Sequence, residues 1–449
     1  MNTIKNKAQK LNNILIINGN IIDTKAGKTF RSDIMIENGI IRKVEKKIKV
    51  SENDKKLFKI IDADNLLICP GFFDMHVHLR DPGYEYKEDI SSGINSAIRG
   101  GITSLACMPN TSPVIDVPFL VKYLKMSALI NDYNIYPVAA ITRNLEGEVI
   151  TEFGLLKEAG AVAFSDDGRG IQNSRLMYEI MKYAAQMDTL LILHEEDYSF
   201  SENGVVHDGS FSAAKGLEGI SNLSEDIMIA RDLILAKKTG ARIHLTHLSS
   251  AASVNYVRMA KKDNVRVTCD VTPEHFFFND ECIKDFDTNF KIKPPIRSEN
   301  DRRSIIEGIK DGTIDAIASD HAPHSEAEKN ISFNEAAFGS IGLETLFKAS
   351  MTKLYREEKI SLERVIELIS SSPSKIIGVR ENVIKEGELA NISITDVNCL
   401  GKYSKEMIVS KSRNSSFLNT DLYGDVIYTI VNGCLRFINT NRCQGEDFS

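Results

Sequence analysis

The chain reads as an α/β protein: a (β/α)₈ TIM barrel carrying a small β-sandwich domain built from both chain termini. Three observations predict this. Eight short apolar strands alternate with helical patterns through the middle of the chain. Both ends are β-rich and place Asn-Gly between apolar runs. Imidazoles and carboxylates recur at the C-terminal ends of the central strands, the face that holds the active site in such barrels.

At the N-terminus, ILIINGNIID (14–23) and DIMIENGIIRKVE (33–45) each carry Asn-Gly, and DVIYTIVNGCLRF (425–437) repeats the pattern near the other end. Asn-Gly between such runs signals a hairpin, because a type I′ turn needs φ > 0 at both central residues. With ANISITD (390–396), these segments define one β domain, 1–65 with 384–449, and a barrel inserted over 66–383. The barrel strands are LLICPGFFDMHVHL, GITSLACMP, NIYPVAAIT, AVAFSDD, LLILHEED, ARIHLTHLS, VRVTCDVTPE and IDAIASDHAP. Between them run helices such as EDISSGINSAIRGG, with Ile90, Ile94, Ala97 and Ile98 on one face. SEDIMIARDLILAKKTG is another, with Ser224 as its expected N-cap and Gly240 as its end. A doubly wound parallel sheet is the alternative arrangement.

The 449 residues have a net charge of −7, too mildly acidic and too evenly mixed for a nucleic-acid binder or a membrane-surface protein. Seven scattered cysteines without a C-x-x-C pair read as reduced thiols. The apolar run Ile14–Ile17 behind the basic N-terminus is too short for a signal-peptide core, and no stretch is long enough to span a membrane. A cytoplasmic location is expected.

The chemistry concentrates in a few positions. In a strand, residues two apart share a face, so His76 and His78 converge on one spot. His194 ends the fifth predicted strand, His247 the sixth, Asp320 the eighth, and Asp166-Asp167 the fourth. Imidazoles and carboxylates gathered at one barrel mouth are costly unless they hold a cation, and this donor set suits zinc and related divalent metals. Other positions read as structural. Asp166 caps the loop after strand four, His244 faces the opposite side from His247, His207 lies in a surface loop, and His321 packs away from Asp320. Met177, Met181 and Met187 are helix filler.

PGFFDMHVHLRDPG (70–83), KEDISSG (87–93), CMPNTSP (107–113), FSDDG (164–168), HEED (194–197), THLSS (246–250) and SDHAPH (319–324) together resemble the amidohydrolase superfamily. Within it they are similar to the dihydroorotases, the bacterial type related to hydantoinases and allantoinases. The resemblance runs in order along nearly the whole chain. It implies that His76 and His78 hold the more buried metal, that Asp167 bridges, and that His194 and His247 hold the other. It implies that Asp320 contacts the buried metal and the attacking hydroxide as general base and acid. Arg80 and Asn110 would hold a substrate carboxylate, with His78, His324, Phe338 and Gly339 on the same substrate. Arg80 offers the planar fork that suits a carboxylate, and a strand continued past His78 carries it into the same mouth. The implied reaction is reversible hydrolysis of dihydroorotate to N-carbamoyl-aspartate in pyrimidine synthesis. The implied cofactor is Zn²⁺, one or two per chain. A homo-oligomer and an aspartate transcarbamoylase partner are expected on the same ground.

Two departures stand out. Hydantoinase-like relatives bridge their metals with a carboxylated lysine on strand four, whereas AVAFSDDG has none, so the bridge falls to Asp167. That absence, with Arg80 and Asn110, favours a carboxylate-bearing substrate over those of allantoinase or dihydropyrimidinase. A non-catalytic scaffolding subunit is a further reading, opposed by the complete ligand set. FKIKPPIR (290–297) carries Lys293 where many dihydroorotases have Asn beside the Pro pair. Two orientations are open to Lys293, toward the substrate or outward.

Overall fold

A computed structural model describes residues 13–440. The basic N-terminal ten residues and Cys443 lie outside them. Eight parallel strands stand in chain order: Phe72–Val77, Ile102–Cys107, Asn134–Ala139, Ala163–Phe164, Leu190–Leu193, Arg242–Leu245, Val267–Val271 and Ala316–Ile317. All eight predicted barrel strands are present. The ring closes where Val77 bridges His321 and the His78 N–H donates to the His321 carbonyl at 3.0 Å.

Alternation divides the strands between two cores. Phe73, Met75, Ala106, Val138, Ala163, Leu190, Ile192 and Ala316 share one cluster. Their neighbours Phe72, Leu105, Ile135, Phe164, Leu191, Ile243 and Ile317 belong to the larger cluster that includes the helices. The helix Ile90–Arg99 buries Ile90, Ile94, Ala97 and Ile98 as expected, and a capping box between Asp89 and Ser92 starts it. The helix Leu223–Thr239 ends at Gly240 (φ 73°), but Ser224 is not its N-cap. Asn222 takes that place, and the Ser224 hydroxyl donates instead to the Asp197 carbonyl.

The terminal segments join in a second sheet, ordered 434–438, 421–431, 392–402, 67–70, 14–23, 28–37, 40–45, with 59–62 also paired to 14–23. Asn38-Gly39 and Asn432-Gly433 are hairpin turns with φ > 0 at both positions. Asn18-Gly19 is not. The strand Ile14–Asp23 runs straight through it, with a bulge against Lys28–Glu37, because a neighbouring strand continues alongside. A Cβ at Gly19 would run into Ile68 of that sheet. The first expected barrel strand is likewise two elements: Leu67–Pro70 pairs with the terminal sheet, and the barrel begins after Gly71.

The expectation of seven reduced thiols fails at Cys399, which is disulfide-bonded. The absence of C-x-x-C spacing does not forbid a link between distant cysteines. Cys69, Cys107, Cys269 and Cys282 are free. Among the described residues, no helix is long and apolar enough to cross a membrane.

Candidate metal centre

The first barrel strand sets the geometry. Its register slips between Asp74 and Val77, where three residues advance against two on the neighbouring strand. That bulge takes the strand out of the phase set by Phe73 and Met75 and turns His76 and His78 together into the mouth. The remaining donors sit just past the strand ends, Asp167 after the fourth, His194 after the fifth, His247 after the sixth and Asp320 after the eighth. His247 (φ 42°) and Asp320 (φ 44°) hold left-handed backbone, a strained choice for such residues that recurs at functional sites.

The six side chains meet. Asp167 Oδ1 lies 3.2 Å from His76 Nε2 and 3.9 Å from both His194 Nδ1 and His247 Nε2. Its other oxygen is 3.5 Å from His78 Nε2. Asp320 Oδ1 lies 3.0 Å from His78 Nε2 and 3.5 Å from His76 Nε2. Two triads are compact enough to share an ion, His76–His78–Asp320 and His76–Asp167–His247. His194 joins the second through its Nδ1, 3.0 Å from His247 Nε2.

Charge and tautomer fit a metal. The Thr246 hydroxyl donates to Asp270, so it accepts from His76 Nδ1–H at 2.7 Å, which leaves Nε2 facing the carboxylates. That nitrogen is buried with only the Asp167 and Asp320 carboxylates before it, at 3.2 and 3.5 Å. Buried imidazole and carboxylate donors facing one another in this way fit a bound cation. Burial opposes the His76 imidazolium, but Asp167 and Asp320 outweigh burial and push it up to about 10. Burial also opposes the Asp167 carboxylate, and His76, His78 and His194 overcome it, holding Asp167 well below the usual range. Burial, then the neighbouring His194, push His247 down to about 3, which keeps it a neutral ligand. Nitrogen and carboxylate donors of this kind suit zinc and its neighbours.

An outer ring of side chains orients the inner one, and sequence reading missed most of it. Asn110 Oδ1 pairs with His78 Nδ1 at 2.8 Å, and its amide donates to Asp167 at 3.3 Å. Asp270 accepts from Thr246, from the His247 N–H at 2.6 Å and from His244 Nε2 at 2.9 Å. Glu196 stands 3.1 Å from His194 Nε2, and Lys293 pairs with Glu196 at 2.6 Å. Lys293 therefore faces neither the solvent alone nor the metal ligands directly. The only sequence signals were position, with Glu196 two residues past His194 and Thr246 beside His247.

Arg80 reaches the mouth by a different route from the one expected. The strand ends at Val77 and Arg80 has φ 61°, so a turn delivers it. Its Nε donates to the Pro323 carbonyl at 3.1 Å, and Nη2 lies 3.3 Å from His324 Nε2. Asp81 and Glu85 are engaged elsewhere, by Tyr123 and the Gly83 N–H. Burial, then Arg80 and Lys87, push His324 down to about 3, so its neutral ring accepts from the guanidinium. Gly339 (φ 142°) fits only as glycine, since a Cβ would stand 2.8 Å from the Ala322 carbonyl and 3.0 Å from the His324 ring. Phe338 lies beneath Lys291 Nζ at 4.5 Å and Lys293 Nζ at 5.2 Å. Asn414, from the terminal sheet's 403–420 connection, accepts from the His324 N–H and donates to the Ala322 and Gly339 carbonyls.

The residues read as structural divide. Asp166 accepts from the Ile141 and Thr142 N–H groups, as a loop cap should. His244 is fully buried between Thr268 and Asp270, and His321 between Glu88 and the Gly342 N–H. His207 is not on the surface: it is buried in a two-stranded pairing of 206–207 with 219–220.

Residues 65–253 match the family model described as dihydro-orotase-like. A protein named dihydroorotase from Acetivibrio thermocellus is 44% identical over 421 residues, 94% of this chain and 98% of that one. Another, from Ruminiclostridium cellulolyticum, is 44% identical over 94% of this chain and 97% of its own. Among solved structures, an L-hydantoinase (dihydropyrimidinase) from Arthrobacter aurescens superposes with a TM-score of 0.83 at 22% identity, covering 94% of this chain and 95% of that one. A dihydropyrimidinase from Brevibacillus agri gives 0.81 at 17% identity, covering 96% of each. At those identities the structural likeness speaks for the fold.

Proposed function

The chain belongs to the dihydroorotase family, and from that premise we propose how its own residues carry out reversible hydrolysis of the cyclic amide of dihydroorotate to N-carbamoyl-L-aspartate in pyrimidine (UMP) biosynthesis. The observation that carries the reading is the convergence of His76, His78, Asp167, His194, His247 and Asp320 on one buried spot.

These six residues would hold the metal, with Asp167 presenting one oxygen to His78 and the other to His76, His194 and His247. When bound, a divalent ion supplies a nucleophilic water near neutral pH and polarises the amide carbonyl. Burial opposes the Asp320 carboxylate, but His76, His78 and His247 hold it ionised, so it can take the water's proton and return it to the leaving amide nitrogen. The Arg80 guanidinium, without an acidic partner among the described residues, is free to fork onto the substrate carboxylate. Asn110, His78 and His324 border that space, and Phe338 and Gly339 line its edge in this reading. Ring closure follows the same path reversed.

We further propose Zn²⁺, one or two ions per chain, as the metal, with a cytoplasmic location, a homo-oligomeric state and an aspartate transcarbamoylase partner. These finer readings rest on the family resemblance. The division of the chain into 1–65 with 384–449 and 66–383 is also our reading, amended in that Leu67–Pro70 pair with the terminal sheet. Metal analysis of the purified protein, with assays on dihydroorotate and dihydrouracil, tests the assignment. A metal-free protein, or one preferring dihydrouracil, would overturn it.

A further inference from the structure

We infer that Glu196 is the positioning residue of His194 and that Lys293 locks Glu196 in place, so that this ion pair sets how tightly the His194 side of the centre holds metal. The inference rests on the metal-centre reading above and extends it to a residue where many dihydroorotases carry Asn. An imidazole can present only one nitrogen to a metal, and the hydrogen bond at the other decides which. For His194 the choice is visible. Nε2 lies 3.1 Å from Glu196 Oε2, while Nδ1 faces His247 and Asp167. A carboxylate there accepts Nε2–H, so Nδ1 carries the lone pair toward the cluster.

Glu196 is itself buried, and a buried carboxylate with one imidazole for company is poorly compensated. Lys293 supplies the missing charge at 2.6 Å from the other carboxylate oxygen. The lysine is held from two sides. The following residue, Pro294, accepts from His275 Nε2 at 3.1 Å, and the ammonium sits 5.2 Å from the centre of the Phe338 ring. The chain Phe338–Lys293–Glu196–His194 thus ties the substrate edge of the mouth to a metal ligand.

Outer carboxylates of this type are worth about 10–100-fold in metal affinity. The test is zinc affinity by chelator competition, together with the absorption spectrum of the cobalt-substituted protein, on the full chain. His194→Ala serves as the reference and should lose its share of the metal. Glu196→Gln should weaken zinc by about 10–100-fold and shift the cobalt bands. Lys293→Met should move both readouts in the same direction, and Lys293→Arg should restore them, since only the charge is required. Unchanged affinity and spectrum in Glu196→Gln, with metal lost from His194→Ala, would overturn the role of Glu196 alone. A Lys293→Met protein indistinguishable from wild type would overturn the lock, and this partly exposed position keeps the test open should Glu196→Gln fold poorly. If His194→Ala keeps its full metal, the metal-centre reading itself falls.

Discussion

Asp166 and Asp167 are neighbours in the chain and turn their carboxylates to different partners. Asp166 accepts from the Ile141 and Thr142 backbone and from the Thr142 hydroxyl, while Asp167 faces His76, His78, His194 and His247. One fastens a loop, and the other sits among the imidazoles.

Replacing each by Ala should separate those jobs. Asp167→Ala should release or strongly weaken one metal while the barrel still folds. Asp166→Ala orphans buried N–H donors at about 1–3 kcal/mol each, so it should lower the melting temperature and leave metal content near normal. Metal per chain and thermal melts of both variants check this, and greater metal loss at Asp166 would reject it.

Asp320→Asn keeps the size of the side chain and an oxygen near His78 but removes the proton acceptor. Turnover should fall by about 10²–10⁴-fold, with the fold intact by circular dichroism. Near-normal turnover would remove Asp320 from the reaction.

Arg80→Ala should lower kcat/KM for dihydroorotate by about 30-fold or more, as expected when one partner of a desolvated ion pair is truncated. Dihydrouracil has no carboxylate, so its low rate should change little. Arg80→Lys should recover only part, because a point charge does not make the fork. Equal losses on both substrates would mean that Arg80 only supports Pro323 and His324.

Acid should destabilise the protein partly through His275. Burial, against the pull of its hydrogen bond to Pro294, and then Arg297 set its ring at about 4 when folded, from 6.5 unfolded. Between those values the unfolded chain binds a proton that the native one refuses, so stability rises with pH there. The contribution is complete above about 6.5 and fades as pH falls toward 4, a span worth about 3 kcal/mol. In urea unfolding at pH 7 and pH 5, His275→Gln should show a smaller drop than wild type. Identical drops would assign the acid sensitivity to other groups.

What the sequence revealed followed from rules that act locally. Strand periodicity and strand-end placement bring His76 and His78 together with Asp167, His194, His247 and Asp320, and two of the three Asn-Gly pairs read as hairpin turns make the turns they announce. The third, Asn18-Gly19, has the same local chemistry and becomes a bulge, because its outcome depends on a strand from elsewhere. Glu196, Lys293, Asp270 and Asn414 were illegible for a related reason. Each acts through a partner distant in sequence, and nothing in its own neighbourhood specifies which way the side chain turns.

Asn414 has a consequence for how the protein is made. The side chain that fastens the Ala322, His324 and Gly339 backbone is translated after every barrel strand, and the strand Ile392–Lys402, which seats Leu67–Pro70 in the terminal sheet, comes only shortly before it. A ribosome that has finished the barrel has therefore not yet finished the enzyme. The N-terminal strands must wait beside a growing chain for their C-terminal neighbours, a long-range closure of the kind that slows folding and leaves edges open to misassociation. Stops between residues 383 and 414 should yield chains that hold His76, His78, Asp167, His194, His247 and Asp320 but leave the Ala322, His324 and Gly339 backbone unfastened.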